Sequence, residues 1–266
     1  MRLKDKVVLI TGGYTGIGKA IAQTCVKEGA KVAMNGLRDA LGGKLVDELG
    51  TENSVHFTKD ITEKDAAADI IEQTLSTFGK LDGLVNNAAL ISSSNLQTTS
   101  VDFLQKMLEV NTIAPFALIQ AALPYLEKNN GCVLNIGSIN AWCGEPDLLA
   151  YSMSKGALMT MSRNLGDTLF RNNGVRVNQI NPGWVLTENE IENKRNQGMK
   201  DDWFTELPDI FAPARRLFAP EEIATAAVYL LSDQSGPVSG QVLELEQFPM
   251  IGRNPPKVWT DSHKNN

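Results

Sequence analysis

Histidine and cysteine are scarce in this sequence of 266 residues. His56 and His263 are too few and too far apart along the chain to suggest a metal centre or a Ser-His-Asp triad. The three cysteines, Cys25, Cys132 and Cys143, are odd in number and do not have the spacing of metal ligands. This pattern predicts reduced thiols in a cytoplasmic protein and no bound metal.

Long apolar runs and basic runs are also missing. No apolar run reaches the length that spans a bilayer, and residues 1–6 lead directly into a strand-like segment, so we expect neither a membrane segment nor a secretory signal. The formal net charge of −6 argues against a nucleic-acid partner. With 42% apolar and 21% charged residues, the chain is typical of a large globular domain, and we expect a small-molecule partner.

Apolar runs of strand length alternate along the chain with segments of helical periodicity. Strands are predicted at residues 7–10, 31–35, 55–57, 81–85, 132–136, 175–180 and 242–245. Helices are predicted after the first strand and at residues 39–49, 66–78, 103–126, 151–171 and 221–231. This alternation predicts an α/β protein with a doubly wound, parallel, seven-stranded sheet in three layers.

No linker or internal repeat interrupts this alternation, so residues 1–247 are predicted to form a single domain. Residues 184–219 break the rhythm, because they form a long, mixed segment that is rich in aromatic residues. Long connections of this kind are typical of binding loops, and we predict a lid there.

A glycine-rich turn at residues 11–18 lies between the first strand and the helical pattern that follows it. Glycines let the backbone approach a ligand closely, and the helix N-terminus offers free N–H groups and a positive dipole. A turn with a strand before it and a helix after it therefore predicts a site for the pyrophosphate of a dinucleotide.

Tyr151 and Lys155 lie four residues apart at the start of a helical segment, so a helix places both on one face. A neighbouring ammonium favours phenolate, and we expect it to lower the tyrosine pKa below its free value of about 10. Such a tyrosine can act as an acid or base near neutral pH. Alone, the pattern is also compatible with an ordinary helix that carries an exposed lysine.

Further polar residues follow the predicted strands where each strand ends. Asp60 follows the third strand, residues 86–89 the fourth, Ser138 the fifth and residues 181–183 the sixth. Ligands of open parallel sheets bind at the carboxyl ends of the strands. We therefore expect these residues to converge on one site.

Together these motifs resemble the short-chain dehydrogenase/reductase family in its single-domain form, from residue 6 to about residue 246. The matching positions are Thr11-Gly12-x-x-x-Gly16-Ile17-Gly18, Asp60, Asn86-Asn87-Ala88, Asn111, Ser138, Tyr151-x-x-x-Lys155 and Asn181-Pro182-Gly183 with Thr187. The resemblance implies a Rossmann fold and hydride transfer between a nicotinamide cofactor and a secondary alcohol or ketone.

The resemblance also implies roles for four residues. Tyr151 would exchange a proton with the substrate, and Lys155 would lower the tyrosine pKa and hold the nicotinamide ribose. Ser138 would bind the substrate oxygen, and Asn111 would seat a water that links Lys155 to solvent. Each also has a structural explanation: Ser138 could cap a helix, for example, and Asn111 could bond backbone.

The residues that would hold the cofactor are Thr11, Gly12, Tyr14, Thr15, Gly16, Ile17, Gly18, Arg38, Asp60, Ile61, Asn87, Ala88, Tyr151, Lys155, Pro182, Gly183, Val185 and Thr187. Family members commonly carry an Asp at the end of the second strand, where it binds the adenosine ribose of NAD. Here that position is Gly36, and Arg38 follows two residues later. Because arginine suits a phosphate, we predict NADP, with NAD as the alternative if Arg38 is merely solvated.

The substrate is less well specified than the cofactor. Its expected contacts are Ser138, Asn140, Trp142, Glu145, Tyr151 and Trp184, with Leu186, Trp203 and Phe204 as further candidates. Aromatic faces beside polar groups suit a sugar, a polyol or a hydroxy-acid. A 3-oxoacyl thioester on an acyl carrier is the rival substrate, and a dinucleotide-binding regulator without turnover is the rival function.

The chain departs from the family pattern at Ala89, where glycine is usual, and beyond Glu246. The tail, residues 248–266, carries an apolar segment and several prolines. We predict that it packs across a subunit interface and helps to wall a substrate pocket, with only residues 261–266 loose. Covering of its own subunit is the alternative. The helix from Tyr151 is apolar on more than one side, so we expect a homotetramer or a homodimer.

Overall fold

Seven parallel strands form one sheet in the computed structural model, which describes residues 1–208 and 212–248. The strand order is β3-β2-β1-β4-β5-β6-β7. The strands are β1 Val7–Thr11, β2 Lys31–Gly36, β3 Ser54–Thr58, β4 Gly83–Asn86, β5 Cys132–Ile136, β6 Arg176–Pro182 and β7 Val242–Leu245. The predicted doubly wound Rossmann sheet is confirmed.

Helices connect the strands and cover both faces of the sheet. They are α1 Gly16–Lys27, α2 Asp39–Leu49, α3 Ala66–Phe78, α4 Val101–Leu108, α5 Ala114–Lys128, α6 Asn140–Cys143, α7 Leu149–Asn173, α8 Glu188–Asn196 and α9 Pro220–Leu231. Helices α1 and α9 pack on one face, where Ile21 and Val228 are buried. Helices α3 and α5 pack on the other face, where Ile70 and Leu118 are buried. Because both faces are covered, the strands read as continuous apolar runs.

The direction of winding reverses between β1 and β4. Strand β1 pairs with β2 on one side and with β4 on the other. The turns that follow β1 and β4 therefore separate at the carboxyl edge of the sheet and leave a crevice, which is where ligands of this fold class bind.

The segment predicted to be helical at residues 103–126, as one helix or two, forms two helices. Helix α4 leads through a π-helical turn, Glu109–Ile113, into α5. Residues 101–128 are long and apolar enough, by length and composition alone, to cross a membrane, contrary to our sequence expectation. However, Leu118, Ala122 and Leu126 are buried in the core, so this stretch is a core element of the folded protein.

Two helices were missed by the sequence patterns. Helix α6 is one short turn, and α8 contains no buried residue, so neither carries an apolar period. Helix α8 lies within the predicted lid, whose two ends meet through a bridge between Val185 and Phe218. The predicted packing of the tail concerns residues that lie, except for Phe248, outside the described part of the chain.

Candidate active site

Hydrogen bonds from β4 hold the glycine-rich turn in shape. The Asn87 side-chain amide donates to the carbonyls of Thr11 and Gly12, both at 3.0 Å. The Thr11 hydroxyl accepts the backbone N–H groups of Asn87 and Ala88 at 3.1 Å. Thr11 and Asn87 thus support the expected cofactor site by shaping its backbone.

Glycine is required at several points of this turn. Gly12 and Gly16 have φ angles of 60° and 53°, which side-chain-bearing residues rarely adopt. A Cβ at Gly12 would lie 2.9 Å from the Cα of Ala88. Residues 11–18 therefore pass close to β4 and expose backbone rather than side chains at the crevice.

The N-terminus of α1 faces the N-terminus of α8 across this turn. Thr15 makes no side-chain cap for α1. Instead, the N–H of Gly16 donates to Oε2 of Glu188 at 3.1 Å. The methyl group of Thr187 lies over Gly16, where an added Cβ would come within 3.1 Å of it. A carboxylate therefore occupies one amide of the predicted pyrophosphate site, a contact that the sequence did not reveal.

A cavity of about 360 Å³ extends from the turn along the ends of β2 and β3. It is lined by Gly12, Tyr14, Thr15, Asn35, Gly36, Leu37, Arg38, Lys59, Asp60, Ile61, Ala88, Ala89, Leu90, Lys106 and Val110. This set includes seven of the predicted cofactor residues, and it also includes Gly36 of the specificity position. The seven are Gly12, Tyr14, Thr15, Arg38, Asp60, Ile61 and Ala88.

Tyr14 explains why Gly36 carries no side chain. A Cβ at Gly36 would lie 2.5 Å from the Tyr14 ring. The Tyr14 hydroxyl donates to the carbonyl of Phe57 at 2.8 Å, and burial raises its pKa to about 12. The ring therefore occupies space that an acidic residue at the end of β2 would need.

Arg38 and Asp60 both line this cavity but differ in their surroundings. The Arg38 side chain is exposed, whereas the Asp60 carboxylate is hydrogen-bonded within a turn. Arg38 is the N-cap residue of α2 and is exposed. Asp60 accepts hydrogen bonds from the backbone N–H and hydroxyl of Thr62 at 2.9 and 2.8 Å. The backbone hydrogen bond from Thr62 is the largest cause of its lowered pKa. Lys59 forms ion pairs with Glu63 and Asp69. The exposed guanidinium of Arg38, at the mouth of the cavity, is the group that we expect to meet a phosphate.

Tyr151 and Ser138 meet at the carboxyl end of β5, as predicted. Tyr151 lies in the first turn of α7 and is 7% exposed. The Ser138 side chain lies near enough to the Tyr151 phenol to lower its pKa. The Ser138 hydroxyl also accepts the N–H of Asn140 at 3.2 Å, so the serine both caps the short helix α6 and touches Tyr151.

Lys155 is buried beside this pair. Its Nζ donates to the carbonyl of Ile136 at 2.8 Å and lies 5.7 Å from the centroid of the Tyr151 ring. Burial lowers the lysine pKa to about 8. It also raises the pKa of Tyr151 to about 12, although the Ser138 side chain acts in the opposite direction. The expected lowering of the tyrosine pKa by Lys155 is therefore wrong for this structure, because desolvation of the phenolate dominates.

Asn111 links the π-helical turn to α7. Its Oδ1 accepts the N–H of Leu90 at 2.8 Å, and its Nδ2 lies 2.9 Å from both the carbonyl of Leu90 and the hydroxyl of Ser154. Ser154 in turn donates to the carbonyl of Tyr151 at 2.7 Å. The Asn111 side chain thus braces the helix segment between Tyr151 and Lys155, and the predicted water relay remains a prediction.

Ser94 caps α7 from a distant part of the chain. The N-cap residue Leu148 has no side-chain acceptor, and the hydroxyl of Ser94 accepts the N–H of Ala150 at 3.0 Å instead. This positioning contact spans 56 residues, so no local capping pattern could have indicated it.

The loop after β6 brings Pro182, Gly183, Val185 and Thr187 to the same edge of the sheet. Pro182 accepts the N–H of Ile139 at 3.2 Å, and Gly183 donates to the carbonyl of Leu245 at 2.7 Å. Thr187 caps α8 by accepting the N–H of Glu190 at 3.1 Å. Four predicted cofactor residues are thus fixed between the Ser138 loop and the lid.

Stacked aromatic rings form the inner part of the lid. The rings of Trp184 and Trp203 stack with centroids 5.1 Å apart, and Phe204 meets Trp203 edge-on at 5.7 Å. The indole N–H of Trp184 donates to Glu190 at 2.9 Å, and the Lys194 ammonium lies over the same ring at 5.5 Å. The indole nitrogen of Trp203 is buried without a hydrogen-bond partner among the described residues.

The other predicted substrate residues lie around α6. Asn140 donates to Glu145 at 3.2 Å, beside Ser138. Trp142 instead lies over the guanidinium of Arg163 at 4.8 Å. Arg163 is eight residues beyond Lys155 on α7, so Trp142 contacts that helix well beyond Lys155 rather than beside it.

Comparisons with known proteins agree with this geometry. A family described as enoyl-(acyl carrier protein) reductase matches residues 12–246. L-fucose dehydrogenase from Mus musculus is 36% identical over 234 residues, which are 87% of this chain and 84% of that protein. 2-(S)-hydroxypropyl-CoM dehydrogenase 3 from Xanthobacter autotrophicus is 34% identical over 92% of this chain and 96% of its own.

A solved structure shows the same architecture. L-sorbose reductase from Gluconobacter frateurii, complexed with NADPH and L-sorbose, superposes with a TM-score of 0.86 at 27% identity. The match covers 92% of this chain and 97% of that one. On the sheet order, the Tyr151 site and these relatives, the chain belongs to the short-chain dehydrogenase/reductase family and is an NAD(P)-dependent oxidoreductase that acts on CH–OH groups.

Proposed function

We propose that the protein interconverts a secondary alcohol and a ketone with NADP(H), and that Tyr151 is the proton donor and acceptor. The observation that carries this proposal is the contact of Tyr151 with Ser138 beside buried Lys155, at the edge of the sheet where the glycine-rich turn ends.

The residues present fit a dinucleotide. The turn at residues 11–18 exposes backbone because glycines stand where a Cβ would collide, and α1 directs its free N–H groups into the crevice. When bound, the nicotinamide supplies or accepts the hydride at the substrate carbon. In reduction, Tyr151 gives its hydroxyl proton to the carbonyl oxygen, and the resulting phenolate then regains a proton from solvent.

Ser138 and Lys155 assist this proton transfer. The Ser138 hydroxyl donates to the same substrate oxygen and stabilises its developing charge. Lys155 presents an ammonium near the Tyr151 ring, and this charge lowers the cost of forming phenolate. The pKa of Tyr151, about 12 without ligands, must fall in the working complex for oxidation to proceed near neutral pH.

NADP is the proposed cofactor. Gly36 presents no carboxylate, Tyr14 occupies the space for one, and Arg38 is exposed at the cavity mouth. L-sorbose reductase, the related structure, carries NADPH.

We expect Arg38→Ala to weaken NADPH binding by roughly tenfold or more and to spare NADH, since a charge-assisted contact to the 2′-phosphate contributes about 1.5–3 kcal/mol. Equal NADPH dissociation constants before and after the change would refute this assignment.

A sugar, polyol or small hydroxy-acid is the proposed substrate. Trp184 and Trp203 offer aromatic surface, and Glu190, Asn140 and Glu145 place polar groups around it. Two relatives act on sugars by name, an L-fucose dehydrogenase and an L-sorbose reductase. A 3-oxoacyl thioester is the second candidate. The matching family's description shares with it the acyl carrier protein, although it names an enoyl rather than a 3-oxoacyl group.

A panel assay tests the proposal and separates these substrates. NADPH oxidation is followed with L-sorbose, other ketoses, 2-oxoacids and an acetoacetyl thioester, and NADP reduction with L-fucose and other sugars.

We expect turnover with a sugar or polyol, and we expect Tyr151→Phe to abolish it while leaving the NADPH dissociation constant nearly unchanged. If Tyr151→Phe keeps more than a tenth of wild-type turnover where chemistry limits the rate, Tyr151 is not the acid. Absence of turnover with every compound would favour the regulator.

We further propose that the enzyme is cytoplasmic. Among the described residues, Cys25 and Cys132 are buried free thiols, and reduced thiols are usual in that compartment. Fractionation of the source cells, with a periplasmic or secreted marker as the control, tests this assignment.

A further inference from the structure

A row of buried amides crosses the sheet beneath the catalytic loop. Asn86 of β4, Asn135 of β5 and Gln179 of β6 are paired in register, so their side chains lie on the same face of the sheet. The residues are 3%, 0% and 0% exposed. Ser162 of α7 covers this face and is also fully buried.

Hydrogen bonds join these side chains into one continuous chain. The amide of Asn86 donates to Asn135 at 2.8 Å, and Asn135 donates to the hydroxyl of Ser162 at 2.8 Å. Ser162 lies 2.7 Å from Oε1 of Gln179, and Nε2 of Gln179 donates to Oδ1 of Asn181 at 2.7 Å. Buried amides are costly without partners, so this chain determines the packing of β4, β5, β6 and α7.

The chain ends at the catalytic serine. Oδ1 of Asn181 accepts both the Gln179 amide and the backbone N–H of Ser138, the latter at 3.1 Å. The Ser138 N–H can only donate, so Asn181 must turn its oxygen toward it. Gln179 must then present its NH₂ group to that oxygen and its own oxygen to Ser162. The orientation of each amide therefore follows from the need to hold Ser138.

The same contacts couple Ser138 to the helix that carries Tyr151. Ser162 lies seven residues after Lys155 on α7, and so on nearly the same side of the helix. Gly137 lies between Ser138 and Ile136, whose carbonyl accepts a hydrogen bond from Lys155. This residue must be glycine, because a Cβ there would collide with the side chains of Gln179 and Asn181. Gln179 thus bridges α7 and the Ser138 loop directly under the reacting groups.

We propose that Gln179 is a positioning residue for the reaction: its amide orients Asn181 and so sets the place of Ser138 relative to Tyr151. The inference rests on the proposed function, because it assumes that Ser138 and Tyr151 share the substrate oxygen. Displacement of a reacting group by about 1 Å can cost on the order of a hundredfold in rate.

The test compares Gln179→Leu with a matched control on the same strand. Asn178 is also buried, and its amide bonds Val238 and Gln241 on the opposite face of the sheet, away from Ser138. We expect both Gln179→Leu and Asn178→Leu to lower the free energy of unfolding. Only Gln179→Leu should lower kcat, between roughly tenfold and a hundredfold, with an unchanged NADPH dissociation constant. Ser162→Ala, a smaller change, should lower kcat in the same direction.

Hydrogen exchange of the cofactor-free protein gives a second readout that does not depend on turnover. The Ser138 amide should exchange faster in Gln179→Leu and Ser162→Ala and at the wild-type rate in Asn178→Leu. Unchanged kcat and unchanged Ser138 exchange in a folded Gln179→Leu protein would overturn the positioning role while leaving the proposed function intact. An enzyme whose turnover survives Tyr151→Phe would overturn the proposed function, and exchange would still report whether Gln179 anchors Ser138.

Discussion

At the scale of single residues, burial decides the protonation chemistry of the site. Lys155 is 2% exposed and Tyr151 is 7% exposed. Burial disfavours the charged form of each group, which is why the lysine pKa falls to about 8 and the tyrosine pKa rises to about 12. Near neutral pH and without ligands, Tyr151 is therefore a neutral phenol, and Lys155 remains mainly an ammonium but loses its proton more readily than a free lysine.

The lowered pKa of Lys155 predicts a pH dependence of stability. Between about pH 8 in the folded state and 10.5 in the unfolded state, the unfolded chain binds more protons, so wild-type stability rises with pH across this window. Compared with Lys155→Met, the wild type should gain on the order of 2 kcal/mol in free energy of unfolding between pH 7.5 and 9.5. Urea unfolding of both proteins without cofactor measures this difference.

Lys128→Met is the control for that comparison, because Lys128 is exposed at the end of α5. Its unfolding free energy should follow the wild-type pH dependence. If the curves of wild type and Lys155→Met run parallel from pH 7.5 to 9.5, the Lys155 pKa is not lowered in the folded protein.

At the scale of elements, the N-terminus of α8 lies against the glycine-rich turn. Its first residue, Glu188, accepts the N–H of Gly16 at the N-terminus of α1. A carboxylate at a helix N-terminus is favourable, and it occupies the place where the cofactor diphosphate would bind. We therefore expect cofactor binding to displace Glu188 from Gly16 and to change the surroundings of Trp184, which donates to Glu190 of the same helix.

Glu188→Gln should bind NADPH more tightly than the wild type. The amide keeps the size of the side chain and removes a negative charge that competes with the diphosphate, so we expect a gain of roughly threefold to tenfold in affinity, on the order of 1 kcal/mol. Tryptophan fluorescence during NADPH titration measures both the affinity and the response of the lid. Glu192→Gln, an exposed position one turn along α8, should match the wild type. Unchanged or weaker NADPH binding by Glu188→Gln would argue against this competition.

At the scale of the whole molecule, the structure revises the argument for assembly. Met161, Leu165 and Leu169 of α7 pack against the core of their own subunit. Their apolar character therefore gives no evidence for a contact with a partner subunit. Large exposed apolar residues remain on the stretch from α4 to α5 and on α7: Val101, Ile113, Phe116, Tyr125, Met153 and Phe170. Exposed apolar groups concentrated on neighbouring helices are typical of a protein interface.

We therefore predict a homotetramer or homodimer that buries this helical surface. Light scattering at micromolar concentration should give a multiple of the 29.0 kDa chain mass. Phe116→Glu should reduce the assembled mass, because it places a charge in the interface. Leu96→Glu, at an 81% exposed position in the loop before α4 and outside these helices, should not. A monomeric mass for the wild type would contradict the prediction.

The sequence alone determined the order of strands and helices and indicated which groups we propose as the reacting ones. Apolar runs and helical periods are local signals, so six predicted segments located seven of the described helices, and all seven strands of the sheet were located within a few residues. Tyr151 and Lys155 share a helix face because of their spacing, which no distant part of the chain can alter. Ser138, Asn87 and Gly183 were placed at the site because parallel strands end at one edge.

Only the tertiary structure decided how these groups are held and charged. The sign of the Tyr151 pKa shift depends on burial by distant elements, which sequence spacing does not report. Glu188 reaches Gly16 across 172 residues, and Gln179 reaches Ser162 across 17. Gly36 is small because a ring from another turn fills its space. Long-range packing sets desolvation and hydrogen-bond partners, so these properties of the site exist only once the chain has folded.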